Sequence, residues 1–270
     1  MPEYLEAAIR PETKGVIVMH YSGQAAPLRA IREVCDRHGL WLLEDACHAQ
    51  PAYQAELLCG TVGEAATLSF HATKPIAAGQ GGAVLFQDPA LAEQARLWRR
   101  HGLLRHPKNY WDYEVQFLGY NYQMPELCAA LALAQLERIN ELWHQRKVIA
   151  ARYREVLREH PLMHLYSADP EASSWHLFPV FWEGPLPARD ELLKQMAARG
   201  FPLNLHYKPL HLHQAYQVWA KAQAFPQADA AYQRVFTLPI WPEMTADEVE
   251  TLLKTLLSTA AAVVTARAPG

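Results

Sequence analysis

The sequence has almost no charge excess of either sign: 25 Lys and Arg stand against 28 Asp and Glu, a formal net charge of −3 over 270 residues. That balance lacks the basic footprint of a nucleic-acid binder and the charge runs of an acidic tail. Cysteine is scarce. The four present, Cys35, Cys47, Cys59 and Cys128, form neither a CxxC pair nor a zinc-ligand spacing with histidine. Reduced thiols are therefore expected, with no disulfide and no metal site. No apolar run approaches the roughly 18 residues that a membrane span needs. The opening MPEYLEAAIRPETKG lacks the apolar stretch of a signal peptide. These absences point to a cytoplasmic protein that binds neither nucleic acid nor membrane. Repeats are absent, and the Ala/Val-rich stretch from Ser258 onward is expected to be a frayed tail.

Half of the residues are hydrophobic, enough for a sizeable core in one large domain or two ordinary ones. The first third alternates between periods of two kinds. Short runs rich in β-branched and aliphatic residues, VIVMH (16–20), LWLLED (40–45), ATLSF (66–70) and GAVLF (82–86), read as strands buried on both faces. Between the first two lies PLRAIREVCDRHG, with helical spacing and Gly39 as its stop. This is the pattern of an α/β sheet that is at least partly parallel. A helix follows at PALAEQARLWRRHG, then an aperiodic, aromatic stretch (103–122) expected to be a long loop. Helical spacing resumes from Pro125 to about His160, too long to run without a bend. Beyond it, strands are expected at 175–182, 201–207 and 235–240, with helices at 188–200 and 246–257, a small α+β domain.

Ligands of open α/β sheets gather beyond the carboxyl ends of the strands, and three features stand there. Asp45 ends one strand; alone, such an Asp is a turn residue or helix cap. Ser69 ends another, with Lys74 five residues on; alone, such a Lys is a solvated charge. Gly79–Gly82 supplies a flexible bend, alone only a turn signal. Together they suit pyridoxal 5′-phosphate (PLP). A buried lysine provides the amine that condenses with the cofactor aldehyde, a carboxylate pairs with the pyridinium nitrogen, and a hydroxyl meets the phosphate.

These residues sit within strings that resemble the DegT/DnrJ/EryC1/StrS nucleotide-sugar aminotransferases, a family of fold-type I. The resemblance runs from about Glu6 to Leu257 through VIVMHYSGQ, LLEDACHA, LSFHATKPIAAGQGGAV, RLWRRHG, LGYNYQMPELCAALALAQLERI and LNLHYKPLHLHQAY, in family order. It implies a partial, mostly parallel PLP-binding large domain at 1–145, a small α+β domain at 146–258 and a tail at 259–270. It implies roles as well. Lys74 binds the cofactor and moves protons, Asp45 pairs with the pyridinium, His48 lies near the ring hydroxyl and Ser69 contacts the phosphate. Asn121 reaches the phosphate of a neighbouring subunit, so the resemblance implies a homodimer with shared sites. His206 and Tyr207 line the sugar-nucleotide site, with a surface or capping histidine as the alternative for His206. Glutamate as amino donor and a UDP- or dTDP-4-keto sugar as acceptor follow, in a ping-pong exchange. The strings YWDYEVQFLGYNY, WHLFPV and LHYKPLHLHQAY are most similar to the branch acting on the pseudaminic acid route. The branch that makes 4-amino-4-deoxy-L-arabinose is next.

Gln80 replaces a Glu usual in the glycine bend, and Gln123 an Arg usual after GYNY; altered substrate handling is the expectation. The family's first element here, EAAIRPETKGVIVMH, normally follows an N-terminal part that holds a phosphate-cradling helix and an aromatic residue stacked on the ring. An N-terminal truncation is therefore expected. The chain is then either part of a working transaminase or a non-catalytic remnant, a binding or dimerisation subunit.

Overall fold

A computed structural model describes residues 2–109, 111–166, 169–220 and 224–266. The chain divides into two compact units: Met1–Glu141 with Ala172–Ser174, and Leu142–Glu171 with Trp175–Gly270.

In the first unit the order is α1 (Pro2–Ala8), β1 (Gly15–Met19), α2 (Leu28–His38), β2 (Trp41–Asp45), the small pair β3 (Tyr53–Gln54) and β4 (Leu57–Leu58), then β5 (Ala65–Ser69), β6 (Gly82–Phe86), α3 (Pro89–Trp98), β7 (Leu103–Arg105), β8 (Tyr113–Val115) and α4 (Glu126–Glu137). Helix α2 buries Leu28, Ile31, Val34 and Cys35, which share one face at helical spacing. Gly39 stops it in the left-handed region at φ 62°, where a side chain is disfavoured. The main sheet runs β1-β2-β5-β6, with β1, β2 and β5 parallel and β6 antiparallel to β5. Strand alternation separates its faces. Leu42 and Glu44 are buried on one, where Val16, Val18 and Leu42 pack with Ile31 and Cys35. On the other, Ile17 is 75% and Trp41 62% exposed.

The second unit holds α5 (Ile139–Leu157, whose first turn belongs to the first unit), β9 (Met163–Leu165), β10 (Phe178–Trp182), α6 (Leu186–Ala198), α7 (Gln217–Ala220), α8 (Pro226–Arg234), β11 (Val235–Leu238) and α9 (Ala246–Thr265). Its antiparallel sheet is ordered β11-β10-β9. One core joins sheet and helices: Tyr153, Phe178, Trp182, Leu192, Met196, Phe236, Leu252 and Leu256 are all buried. Arg146 is buried with them, donating to the carbonyls of Ile240 at 2.8 Å and Trp175 at 3.3 Å.

Several expectations are corrected. The segment 201–207 is not a strand; its backbone pairs with β11 at an isolated bridge, Asn204 to Thr237, with no ladder among the described residues. The supposed loop 103–122 contains the β7–β8 pair. The expected frayed tail continues α9 to Thr265, since Ala260 and Val263 bury themselves against the core; residues 267–270 lie outside the described residues. The bend expected in the long helical stretch is present at Arg138, between α4 and α5.

Candidate functional site

The site grows from the carboxyl end of the main sheet. Asp45 closes β2 and is aligned with Met19 of β1 on one side and Thr67 of β5 on the other, and Thr67 in turn with Val84 of β6. Its Oδ1 accepts from the Cys47 backbone N–H at 3.1 Å, which turns the chain out of the strand. His48, in that turn, is buried, its ring centroid 6.4 Å from that of Tyr21. Ser69 closes β5 opposite Gly82, and its hydroxyl accepts from the His71 N–H at 3.4 Å.

Lys74 rides the connection between β5 and β6. Backbone bonds Phe70 N to Gly81 O (2.9 Å), Ala78 N to Phe70 O (3.0 Å) and Ala72 N to Gly79 O (3.0 Å) close this connection on itself. Ile76 and Ala78 anchor it against Ala132 of α4. At Gly81 a side chain is disfavoured by the backbone, with φ at +152°, and a Cβ would require the Met124 side chain, 2.7 Å away, to shift. The glycine bend is thus part of what fixes Lys74.

The electrostatics join Asp45, Cys47, Thr67 and Lys74 into one cluster. Burial pulls the Lys74 amine below the ordinary lysine range, while the nearby Cys47 and Asp45 act against it. Burial pushes the Cys47 thiol up to about 11, as does its bond with Asp45; Thr67 and Lys74 oppose the rise. The Cys47 sulfur lies 3.7 Å from the Thr67 hydroxyl. A carboxylate, an amine with a lowered pKa and a strand-end hydroxyl form the donor set expected for PLP, and their chemistry fits that group.

Sequence reasoning missed four of the residues that build this region. Cys47 and Thr67 read as an inert thiol and a strand residue, and only the parallel register brings them beside Asp45. The other two, His20 and Glu44, lie behind the sheet. Glu44 points to the face opposite Asp45 and is wholly buried. One of its carboxylate oxygens accepts from the backbone N–H groups of Val62 and Gly63, each at 2.7 Å. The other accepts from Gly60 N–H at 2.7 Å and bonds His20 Nε2 at 2.9 Å. His20 Nδ1 accepts from the Ala26 N–H at 3.1 Å, so the proton sits on Nε2 and is donated to Glu44. Burial works to raise the Glu44 pKa, but His20 and the three amides outweigh it and hold the carboxyl below its ordinary range. The adjacent acids Glu44–Asp45 on one strand were the available signal.

Asn121 is exposed in the segment after β8, its backbone bridged to Arg100. Gln80 and Gln123 are exposed too. His206 and Tyr207 belong to the second unit, where His206 Nδ1 lies 2.9 Å from the Thr237 hydroxyl and the two rings meet edge to face at 4.8 Å.

The chain is similar to known proteins in sequence and fold. The spore coat polysaccharide biosynthesis protein SpsC of Bacillus subtilis (strain 168) is 34% identical over 265 residues, 94% of this chain and 68% of its own length. The structure of Helicobacter pylori PseC, an aminotransferase involved in the biosynthesis of pseudoaminic acid, superposes with a TM-score of 0.92 at 28% identity, covering 97% of this chain and 71% of PseC. DesV of S. venezuelae, solved in complex with a ketimine intermediate, gives 0.86 at 32% identity, covering 96% of this chain and 68% of DesV. The profile of one family matches residues 1–257, and the chain belongs to it: the DegT/DnrJ/EryC1/StrS aminotransferases.

Proposed function

We propose that this chain is the PLP-binding part of a nucleotide-sugar aminotransferase that moves an amino group from glutamate to a UDP- or dTDP-linked 4-keto sugar. The observation that carries the reading is Lys74, a lysine of lowered pKa held beside Asp45 at the carboxyl end of the sheet in a chain of this family. When bound, PLP supplies an electron sink for the charge left at the amino-bearing carbon once its proton is removed. Lys74 Nζ anchors the aldehyde end and then carries that proton, and its lowered pKa keeps a larger share of the amine neutral near pH 7. The Asp45 carboxylate holds a proton on the ring nitrogen, His48 faces the ring hydroxyl and the Ser69 hydroxyl donates to the phosphate. Asn121 of a second copy completes the phosphate site in a homodimer. His206 and Tyr207 contact the sugar nucleotide, and the acceptor is a C4 ketone of the pseudaminic acid type, a reading supported by the likeness to PseC. The chain spans 68% of the length of SpsC and 71% of that of PseC. Among the described residues no helix is long and apolar enough to cross a membrane, and we place the reaction in the cytoplasm.

The test is to incubate the purified chain with PLP, reduce with borohydride and map the label. Label on Lys74 supports the reading, and label confined to other lysines overturns it. Absence of bound PLP favours the second reading, a non-catalytic binding or dimerisation subunit. Candidate UDP- and dTDP-4-keto sugars with glutamate then decide the acceptor.

A further inference from the structure

Residues Ala172–Ser174 belong to the first unit although the chain on both sides of them belongs to the second. The excursion is closed at its base by the Trp175 indole N–H, which donates to the Pro170 carbonyl at 3.0 Å. Trp175 itself sits at φ 51°, a left-handed backbone that non-glycine residues rarely adopt. Such a conformation persists only where the surroundings impose it, and it concentrates near functional sites. Each of the strap's three residues bonds a backbone group of the first unit. The Tyr53 N–H donates to the Ala172 carbonyl at 2.9 Å. The Gly23 carbonyl accepts twice, from the Ser174 N–H at 2.9 Å and from the Ser173 hydroxyl at 3.1 Å. The Ser174 hydroxyl donates to the His48 carbonyl at 2.5 Å, within the buried interior.

These bonds hold two turns at once: Tyr21–Gly23, which follows β1, and the turn after β2 that carries Asp45, Cys47 and His48. Tyr21 and His48 are the rings those turns present to each other. The Ser174 bond falls on the backbone of the one residue in the second turn whose ring is assigned to the cofactor, three positions from the acid assigned to the ring nitrogen.

We propose that Ser174 is a positioning residue for the cofactor site, acting through the His48 carbonyl to fix where the His48 ring stands. The proposal rests on the PLP reading above. A purely structural serine would stabilise the fold without regard to the His48 ring; a positioning serine acts on cofactor binding only while that ring is present.

The experiment is a double-variant cycle on the full chain with PLP as the probe, read by the absorbance of the bound cofactor and, in parallel, by thermal melting. Ser174→Ala removes the hydroxyl that donates to the His48 carbonyl and is expected to weaken PLP binding roughly tenfold. In a His48→Ala background the same change should weaken it less than about twofold, while its effect on the melting temperature stays the same in both backgrounds. Ser173→Ala, which leaves the His48 bond intact, should alter PLP affinity by less than about twofold. Equal losses of affinity for Ser174→Ala with and without the His48 ring overturn the proposal, as does an unchanged affinity in the single variant. Failure of the wild-type chain itself to bind PLP is distinguishable from both, and removes the functional reading together with this one.

Discussion

Replacing Glu44 by Gln tests whether the buried acid behind the sheet is held by its charge. The shape is conserved, but the chemistry is not. The carboxylate offers two acceptor oxygens to four donors: Val62 and Gly63 on one, Gly60 and His20 on the other. An amide keeps one oxygen and turns an NH2 toward the other pair, so whichever way it lies two buried donors meet a donor. His20 cannot relieve this by rotating its ring, because Nδ1 already accepts from Ala26. At about 1–3 kcal/mol for each stranded donor, Glu44→Gln should lose about 2–6 kcal/mol, a large share of the roughly 5–15 kcal/mol available to a typical domain. Urea unfolding followed by circular dichroism should show a lower midpoint with an unchanged slope. The pH dependence supplies a second check. The folded pKa of Glu44 is depressed, so its contribution is complete above the unfolded value of 4.5 and is lost as the pH falls through the folded value. The gap between wild type and variant should therefore narrow as the pH is lowered from about 4.5. A loss below about 1 kcal/mol at pH 7, or a gap that stays constant into acid, refutes the reasoning.

Four further outcomes follow from the geometry. Asp45→Asn removes a charge that raises the Lys74 pKa, so the pH midpoint for trapping PLP on Lys74 should move down; a midpoint that moves up contradicts the cluster. With Cys47 and Cys59 pushed up to about 11 and about 12, mainly by burial, iodoacetamide at pH 8 should alkylate them in the native chain roughly a hundredfold and roughly a thousandfold more slowly than in the unfolded one, and equal rates by mass spectrometry would count against it. Thr245→Ala breaks the reciprocal cap with Glu248 at the start of α9 and should cost about 1 kcal/mol, seen as a lower melting temperature. Leu252→Ala empties a fully buried position in the second unit and should cost about 2–5 kcal/mol by denaturant unfolding; a cost under 1 would mean that α9 is not packed there.

Where the sequence carried a local signal, it was readable. The hydrophobic run into Asp45, the helical spacing closed by Gly39 and the Ser69–Lys74–glycine string each announce themselves within a dozen residues, and the sheet follows from them. What failed to show depends on distance or on very short elements. Strands β7 and β8 are three residues each, too short for a period to develop. The end of α9 was misread although both Ala-rich helix propensity and the Thr245–Glu248 capping box argued for it. The His20–Glu44 pair spans 24 residues and the Ser174–His48 bond 126, separations at which one sequence holds no record of contact.

The pairing of Glu44 with Asp45 also makes β2 intolerant of being miscounted. Because neighbouring residues of a strand face opposite ways, inserting or deleting one residue upstream in β2 would exchange the two acids. Glu44 would be turned to the open face, and after a deletion the shorter Asp45 would be presented to an amide nest it is one methylene too short to fill. The same slip would take the Asp45 carboxylate away from Lys74. Genetic variation along this strand should therefore consist of substitutions and never of single-residue length changes, and a scan of one-codon insertions between Leu40 and Asp45 should yield no folded protein.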